Sequence, residues 1–106
     1  FSAAQALHAM RMGAYFVSPF IGWKEANGEE VQSFIEEILA IRDNYGFSSE
    51  IIVAAVRNGR QIADAAVMGA DIVTAGLAVY KDAFDHPYTG VGLQKFQEFW
   101  DQTPYK

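Results

Sequence analysis

The segment AMRMGAYFVS at residues 9–18 decides the fold, because its pattern returns 56 residues later as AAVMGADIVT at residues 65–74. In both copies a helical stretch leads through a glycine into a short apolar run, which ends in a hydroxyl residue, Ser18 or Thr74. A helix that passes into a buried parallel strand is typical of alternating β/α architecture. Such folds place their chemistry at the carboxyl ends of the strands, so the two hydroxyls indicate a candidate site.

The composition limits the classes of function. The 106 residues are 51% hydrophobic, which predicts a packed core, and their net charge of −5 offers no basic surface for nucleic acid. No apolar run approaches the roughly 20 residues of a membrane span. The chain has no cysteine, which fits a reducing cytoplasm, and only two histidines, which makes a metal centre improbable. We therefore expect a cytoplasmic protein without a metal centre and without nucleic-acid or membrane partners.

Hydrophobic periodicity predicts an α/β fold with three parallel strands. The strands are expected at Tyr15–Phe20, Glu50–Val56 and Asp71–Thr74. Helices are expected from Ser2, from Glu29 to Gly46, at about Arg60–Met68 and Leu77–Asp85, and after a cap at Thr89, with a loop at Gly22–Gly28. Short strands and crossovers, and the lack of a Gly-x-Gly-x-x-Gly loop, favour part of a (β/α)8 barrel over a three-layer sheet.

Polar residues directly follow the predicted strands. Arg57 comes after the second strand, where a guanidinium can hold a phosphate or carboxylate by two hydrogen bonds. Ser18 and Thr74 could orient a polyol or a water molecule. The structural alternatives remain open: Arg57 could pair with a loop carboxylate, and the hydroxyls could bond local backbone groups.

Five motifs, in this order and with this spacing, extend the interpretation to the whole chain. They are FSAAQA (1–6), VSPFIG (17–22), VAAVRN (53–58), HPYT (86–89) and FQEFW (96–100). Together they resemble the transaldolase family, and most closely its small subfamily that includes fructose-6-phosphate aldolase. The resemblance implies a (β/α)8 barrel and a class I aldolase without cofactor. In this family a strand lysine forms a Schiff base with a ketose or dihydroxyacetone unit, and the enamine adds to an aldehyde.

The resemblance also implies that residues 1–106 are the C-terminal part of such a barrel, about strands five to eight, with no second domain. The Schiff-base lysine is then expected upstream of Phe1, so we expect no catalytic residue in this chain and no activity from it alone. The chain's own lysines are interpreted as solvated surface residues; they are Lys24, Lys81, Lys95 and Lys106. The expected substrates are sugar phosphates of the fructose 6-phosphate type, or dihydroxyacetone.

Individual positions carry the resemblance into the predicted substrate site. Ser18 matches a substrate-contacting serine, and Arg57 matches a phosphate-binding arginine. Phe20 matches a phenylalanine of classical transaldolases that is an acid/base tyrosine in some aldolases. Trp23 replaces a second phosphate-binding arginine and Ala55 replaces a phosphate-contacting serine, which removes bonds worth about 1.5–3 and about 1 kcal/mol. A phosphorylated acceptor is therefore expected to bind weakly or differently, with Trp23 stacking on substrate or packing against another subunit.

Two alternative interpretations of the function stay open. A different Schiff-base barrel, such as a deoxyribose-phosphate aldolase relative, is disfavoured by the Ser18-Pro19-Phe20 stretch. A non-catalytic half-barrel that folds by self-association would satisfy the open edges of a three-stranded sheet. The final helix carries a broad apolar face with Phe96, Phe99 and Trp100. Because this helix often packs on an adjacent subunit in the family, we expect a homo-oligomer.

Overall fold

The structure is a computed structural model that describes residues 1–105. Its sheet has three parallel strands in the order β1-β2-β3. The elements in chain order are α1 (Ala3–Arg11), β1 (Phe16–Val17), α2 (Ile21–Ala26), α3 (Gln32–Tyr45), β2 (Glu50–Val56), α4 (Gly59–Met68), β3 (Ile72–Ala75), α5 (Leu77–Ala83) and α6 (Pro87–Asp101). The predicted alternation of helices with parallel strands is confirmed.

The repeated segment behaves alike in both copies. Ser2 caps α1 and accepts a hydrogen bond from the backbone N–H of Gln5 at 3.1 Å. Gly13 and Gly69 follow α1 and α4 with φ angles of 87° and 94°. Glycine reaches this left-handed region without steric cost, so the chain turns from each helix into the next strand.

The hydrophobic core lies on one face of the sheet. Val17, Ile51 and Val53 point to this face and are at most 9% exposed, and they join one cluster with Phe34 and Ile38 of α3. The alternate strand residues Phe16 and Ile72 are 50% and 37% exposed on the opposite face. Only one face of this parallel sheet is covered, and in a closed barrel the other face would point to the interior.

The predicted loop at Gly22–Gly28 is wrong, since Ile21–Ala26 forms α2. Its first residue, Ile21, is 1% exposed in the core, and α2 packs against β2. No side chain caps this helix and it contains Gly22, so local propensity gave little signal. Tertiary packing therefore forms this helix.

Several element ends also differ from the prediction: α3 begins at Gln32 and not at Glu29, β3 is Ile72–Ala75 and not Asp71–Thr74, and α5 ends at Ala83 and not at Asp85. The first strand pairs regularly only at Phe16–Val17, because Pro19 has no N–H to donate. Beyond that point the carbonyl oxygen of Pro19 accepts a hydrogen bond from Ala54 N at 2.9 Å, and Phe20 forms an isolated bridge with Ala54. The cap of α6 is His86, whose Nδ1 accepts from Tyr88 N at 3.1 Å, and not Thr89. Proline at the first helical position fits this start.

The chain is elongated, with a radius of gyration of 19.4 Å and extents of 66 × 30 × 21 Å. A compact chain of this size has a radius of about 13 Å. The apolar side chains of α6 contribute nothing to the core: Phe96, Phe99 and Trp100 are 71%, 62% and 52% exposed. In the part of the chain that is described, no helix is long and apolar enough to cross a membrane.

Candidate functional site

The carboxyl ends of the three strands form one edge, which brings together the residues predicted to lie there. Parallel pairing places β2 between β1 and β3, in register at Val17–Ile51 and Val56–Ala75. Ser18 follows β1, Arg57 follows β2 and Thr74 lies near the end of β3, and all three are exposed. Because neighbouring strands are about 4.8 Å apart, the outer two are separated by roughly 10 Å. We call these three residues and their surroundings the strand-end site.

The hydroxyl of Ser18 bonds the backbone of the neighbouring strand. Its Oγ donates to the carbonyl oxygen of Ile52 at 2.9 Å, so it ties β1 to β2. The structural alternative predicted a backbone partner close in sequence, whereas this partner is 34 residues away. The oxygen of the hydroxyl keeps its acceptor capacity, so Ser18 can still receive a hydrogen bond from a sugar hydroxyl.

Aromatic side chains form a wall beside the site. Trp23 stacks on Phe1 with centroids 5.6 Å apart, and Phe20 meets both rings edge-on at 5.9 Å. Trp23 is 59% exposed and Phe20 37% exposed, so both keep open surface. Neither ring can transfer a proton. The wall can therefore supply apolar contact area but no acid or base.

The end of β2 is irregular at Ala55. The pairing with β3 shifts register between Val53 and Val56, and Ala55 between them has a φ angle of 58°. A non-glycine residue in this region carries backbone strain of about 1–3 kcal/mol, and such strain concentrates at functional sites. The methyl side chain provides no hydrogen bond, as the sequence implied. The bulge changes the direction in which Arg57 leaves the strand.

The guanidinium of Arg57 lies against α2 and has no acidic partner. A Cβ atom on Gly22 would sit 2.9 Å from Arg57 Nε and 2.3 Å from the carbonyl oxygen of Ala55. Within residues 1–105 the Arg57 side chain forms neither an ion pair nor a hydrogen bond. The predicted alternative, an ion pair with a loop carboxylate, is therefore not observed. Gly22 was missed because a glycine inside a predicted loop gives no sign of close packing.

Two polar residues stand next to Arg57: Gln61, which sequence reasoning missed, and Asn58, which closes the VAAVRN motif. Gln61 accepts a hydrogen bond from Arg57 N at 2.8 Å through Oε1, and its Nε2 donates to Glu25 of α2. Asn58 caps α4 by accepting from Gln61 N at 2.9 Å. The spacing Asn58-x-x-Gln61 resembles a capping box, which was the available signal for Gln61.

No lysine of the described chain occupies a strand. Lys24 lies on α2, not in the predicted loop, and its Nζ bonds the Phe1 carbonyl at 2.7 Å and Glu29 at 2.9 Å. Lys81 and Lys95 are exposed on α5 and α6, and Lys106 lies outside the described residues. The predicted solvated position of Lys24 is wrong, because its side chain is 13% exposed. Its ammonium is nevertheless bonded to two oxygens, and Lys81 and Lys95 lie in solvent, so none of the three lies in the dry, unpaired environment of a nucleophilic amine.

The opposite, amino-terminal edge carries a structural ion pair. Asp71 Oδ2 accepts from Ile51 N at 2.8 Å and from Arg42 Nη1 at 2.5 Å. Burial alone would lower the pKa of Arg42, but the hydrogen bond to Asp43 and the charge of Asp71 outweigh it and raise that pKa. This group joins α3 to two strands at the edge that barrels use for stability.

Known proteins match nearly the whole chain. The family model Transaldolase/Fructose-6-phosphate aldolase matches residues 1–104. The chain is 54% identical over 103 residues to "6-deoxy-6-sulfo-D-fructose transaldolase" of Priestia megaterium, covering 97% of the chain and 46% of that protein. It is 45% identical to "Probable transaldolase" of Caulobacter vibrioides (97% and 48%) and 43% identical to that of Sulfurihydrogenibium sp. (100% and 49%). The chain thus spans about half the length of these curated relatives.

Proposed function

Because the chain belongs to the transaldolase/fructose-6-phosphate aldolase family, whose fold is the TIM barrel, we propose that the protein carrying it is a Schiff-base transaldolase. The reaction is the transfer of a dihydroxyacetone unit or the reversible aldol cleavage of a ketose with an anionic group at C6. One observation supports this most: an exposed arginine without an acidic partner within residues 1–105 stands between the hydroxyls of Ser18 and Thr74.

The charges around Arg57 favour a substrate with a single negative charge. The resemblance puts a second arginine at Trp23 and a serine at Ala55, and neither is present. Glu25 reaches the same edge through Gln61 and adds a negative charge. A phosphate ester carries a charge of about −1.5 to −2 at pH 7, whereas a sulfonate carries about −1. One guanidinium beside a carboxylate therefore suits a sulfonate better.

The name of a relative supports the same substrate class. The Priestia megaterium protein, 54% identical to this chain, is named for 6-deoxy-6-sulfo-D-fructose. We therefore propose 6-deoxy-6-sulfofructose as the preferred ketose and fructose 6-phosphate as the weaker one. Trp23 then borders the substrate in place of the missing guanidinium.

The proposed chemistry divides between this chain and the rest of the relatives' length. A lysine in the part that this chain does not span forms the Schiff base with the C2 carbonyl. Cleavage of the C3–C4 bond then releases a three-carbon aldehyde that carries the anionic group, and the dihydroxyacetone unit stays on the lysine as an enamine. Arg57 holds the anionic aldehyde half, Ser18 accepts from a sugar hydroxyl and Phe20 closes the apolar side. Phe20 leaves proton transfer to groups outside this chain.

We also propose that the protein is a cytoplasmic homo-oligomer in which α6 contacts a neighbouring subunit. The exposed face with Phe96, Phe99 and Trp100 offers the aromatic contact area that interfaces favour. The rival function, a half-barrel that only assembles, rests instead on the open edges of the three-stranded sheet. Light scattering on the full-length protein with all three residues changed to serine tests the contact: a smaller particle is expected, and an unchanged one would contradict it.

Borohydride trapping separates the enzyme from the assembly module. The full-length protein is incubated with 6-deoxy-6-sulfofructose, fructose 6-phosphate or fructose, reduced and mapped by mass spectrometry. We expect a reduced adduct on a lysine outside residues 1–106, the highest kcat/KM for the sulfonate, and no adduct on the 106-residue chain alone. An adduct on Lys24, Lys81, Lys95 or Lys106 would refute the proposed division of the site. No cleavage of any of the three ketoses would refute the enzyme.

A further inference from the structure

We propose that Gln61 is a positioning residue for Arg57 and that it sets how strongly the enzyme prefers an anionic ketose to a neutral one. The inference rests on the proposed function, because it takes Arg57 as the contact to the anionic group. It concerns a side chain on α4 that does not itself need to touch substrate.

Gln61 connects three elements at the strand-end site. The residue is buried, with 9% of its surface exposed. Oε1 accepts from Arg57 N at the end of β2 at 2.8 Å, and Nε2 donates to the carboxylate of Glu25 on α2. Its own backbone N–H donates to the Asn58 cap at 2.9 Å. We call these three bonds the Gln61 bridge.

Only one orientation of the amide satisfies both side-chain bonds. Arg57 N is a donor and the Glu25 carboxylate is an acceptor, so the oxygen must face Arg57 and the nitrogen must face Glu25. In a capping box the third helical residue accepts from the backbone N–H of the cap itself. Here Gln61 accepts from the N–H one residue earlier, which places the bond on the residue that carries the guanidinium.

The direction of the Arg57 side chain depends on this bond. Its guanidinium has no partner within residues 1–105, so the far end does not fix the side chain. The backbone leaves Ala55 in a strained left-handed conformation, and Arg57 Nε lies close to Gly22. The N–H of Arg57 and the contact at Gly22 are therefore the two points that define where the guanidinium points. A displacement of about 1 Å in such a group can cost about 100-fold in rate.

The test uses the full-length protein with four changes. Gln61→Met keeps the shape and removes the bridge. Gln61→Glu keeps the acceptor for Arg57 N but faces Glu25 with a second carboxylate. The double variant Gln61→Glu/Glu25→Gln restores the pair with donor and acceptor exchanged. Gln32→Met is the matched control, since Gln32 is exposed on α3 and its side chain makes no hydrogen bond within residues 1–105.

A positioning role predicts a selective effect. In Gln61→Met and Gln61→Glu we expect KM for 6-deoxy-6-sulfofructose to rise about tenfold, because the guanidinium moves, while kcat/KM for fructose stays within about twofold. The double variant should return KM to within about threefold of wild type, and the control should match wild type. Equal losses on the charged and neutral ketoses, or a double variant as poor as Gln61→Glu, would overturn the inference. If Gln61→Met does not fold, Gln61→Leu, which also removes both side-chain bonds without adding a charge, takes its place.

A second measurement separates this inference from the proposed function. If the wild-type protein cleaves no ketose, the proposed function is refuted and the kinetic comparison of the Gln61 variants gives no values. Hydrogen exchange of the Arg57 amide then tests the bridge directly. Faster exchange in Gln61→Met than in Gln32→Met and wild type supports it, and equal exchange in all three overturns it.

Discussion

The contact between Gly22 and the end of β2 leads to a prediction that combines stability with substrate selectivity. Gly22 is buried on α2 with an ordinary helical backbone, so a Gly22→Ala change meets no backbone strain of its own. The new methyl group would lie 2.3 Å from the carbonyl oxygen of Ala55, 2.9 Å from Arg57 Nε and 3.2 Å from Ala55 Cβ. The first of these is backbone, so α2 or the end of β2 must shift by about 1 Å to restore normal contact.

The expected cost follows from two opposing effects. Overpacking of a tight contact costs about 1–3 kcal/mol, and a clash with a backbone atom belongs at the upper end. Replacing glycine by alanine inside a helix returns up to about 1 kcal/mol. The net loss in the free energy of unfolding is therefore about 2 kcal/mol. In a protein about twice the length of this chain, that loss lowers Tm by about 4–8 °C.

Thermal denaturation and kinetics on the full-length protein check this prediction. Gly22→Ala should lower Tm and raise KM for the anionic ketose more than for fructose, because the methyl group pushes the Arg57 stem. Gly90→Ala is the matched control: Gly90 is helical, on α6 but off the face that carries Phe96, Phe99 and Trp100, and an added Cβ meets nothing within 4 Å. That variant should keep or raise Tm. A Gly22→Ala protein that behaves like Gly90→Ala would refute the packing that places Arg57.

Three further predictions concern charges. Glu25→Gln keeps an acceptor for Gln61 but removes a negative charge, so KM for fructose 6-phosphate should fall more than KM for the sulfonate in steady-state assays; equal falls would contradict the charge argument. Asp71→Ala removes the partner of Ile51 N and Arg42, so it should cost about 1–3 kcal/mol in denaturant unfolding with both KM values unchanged. Hydrogen bonds from the Ser33 side chain and backbone, and then from Gln32 N, lower the pKa of Glu30 below its ordinary value of 4.5. The contribution of Glu30 to the free energy of unfolding is therefore present above pH 4.5. It is lost as the pH falls through the pKa that Glu30 has in the folded protein. NMR titration should show that lowered pKa, and Glu30→Gln should weaken the loss of stability in acid.

Strong local signals explain the parts of the fold that sequence reasoning predicted. The second strand was predicted at Glu50–Val56 and has those ends, because an apolar run bounded by polar residues leaves little choice. The repeated glycine marks a helix end twice, at Gly13 and Gly69, because the left-handed turn needs that residue. The missing signals were tertiary. The helix at Ile21–Ala26 forms because Ile21 is buried, and its six residues carry no cap.

In the candidate site, too, local sequence patterns predict some residues, and only tertiary packing reveals the others. Ser18, Arg57 and Thr74 were predictable because each follows an apolar run, and parallel topology brings such positions to one edge. Gly22 and Glu25 were not predictable, since Gly22 meets Arg57 and Glu25 meets Gln61 only after α2 packs against β2 and α4, whereas Gln61 had its capping-box spacing as a signal. On α6 the sequence pattern predicted the apolar face but not what that face contacts. Periodicity predicted an apolar face correctly, but core and interface residues share one pattern, and here Phe96, Phe99 and Trp100 are exposed.

The most direct test of the account is Arg57→Ala in the full-length protein, assayed with 6-deoxy-6-sulfofructose and with fructose. A guanidinium that holds the anionic group contributes charge-assisted bonds of about 1.5–3 kcal/mol. We expect kcat/KM for the sulfonate to fall by about 10- to 100-fold while that for fructose changes by less than about threefold. An equal fall for both ketoses would show that Arg57 supports the fold and does not recognise the substrate.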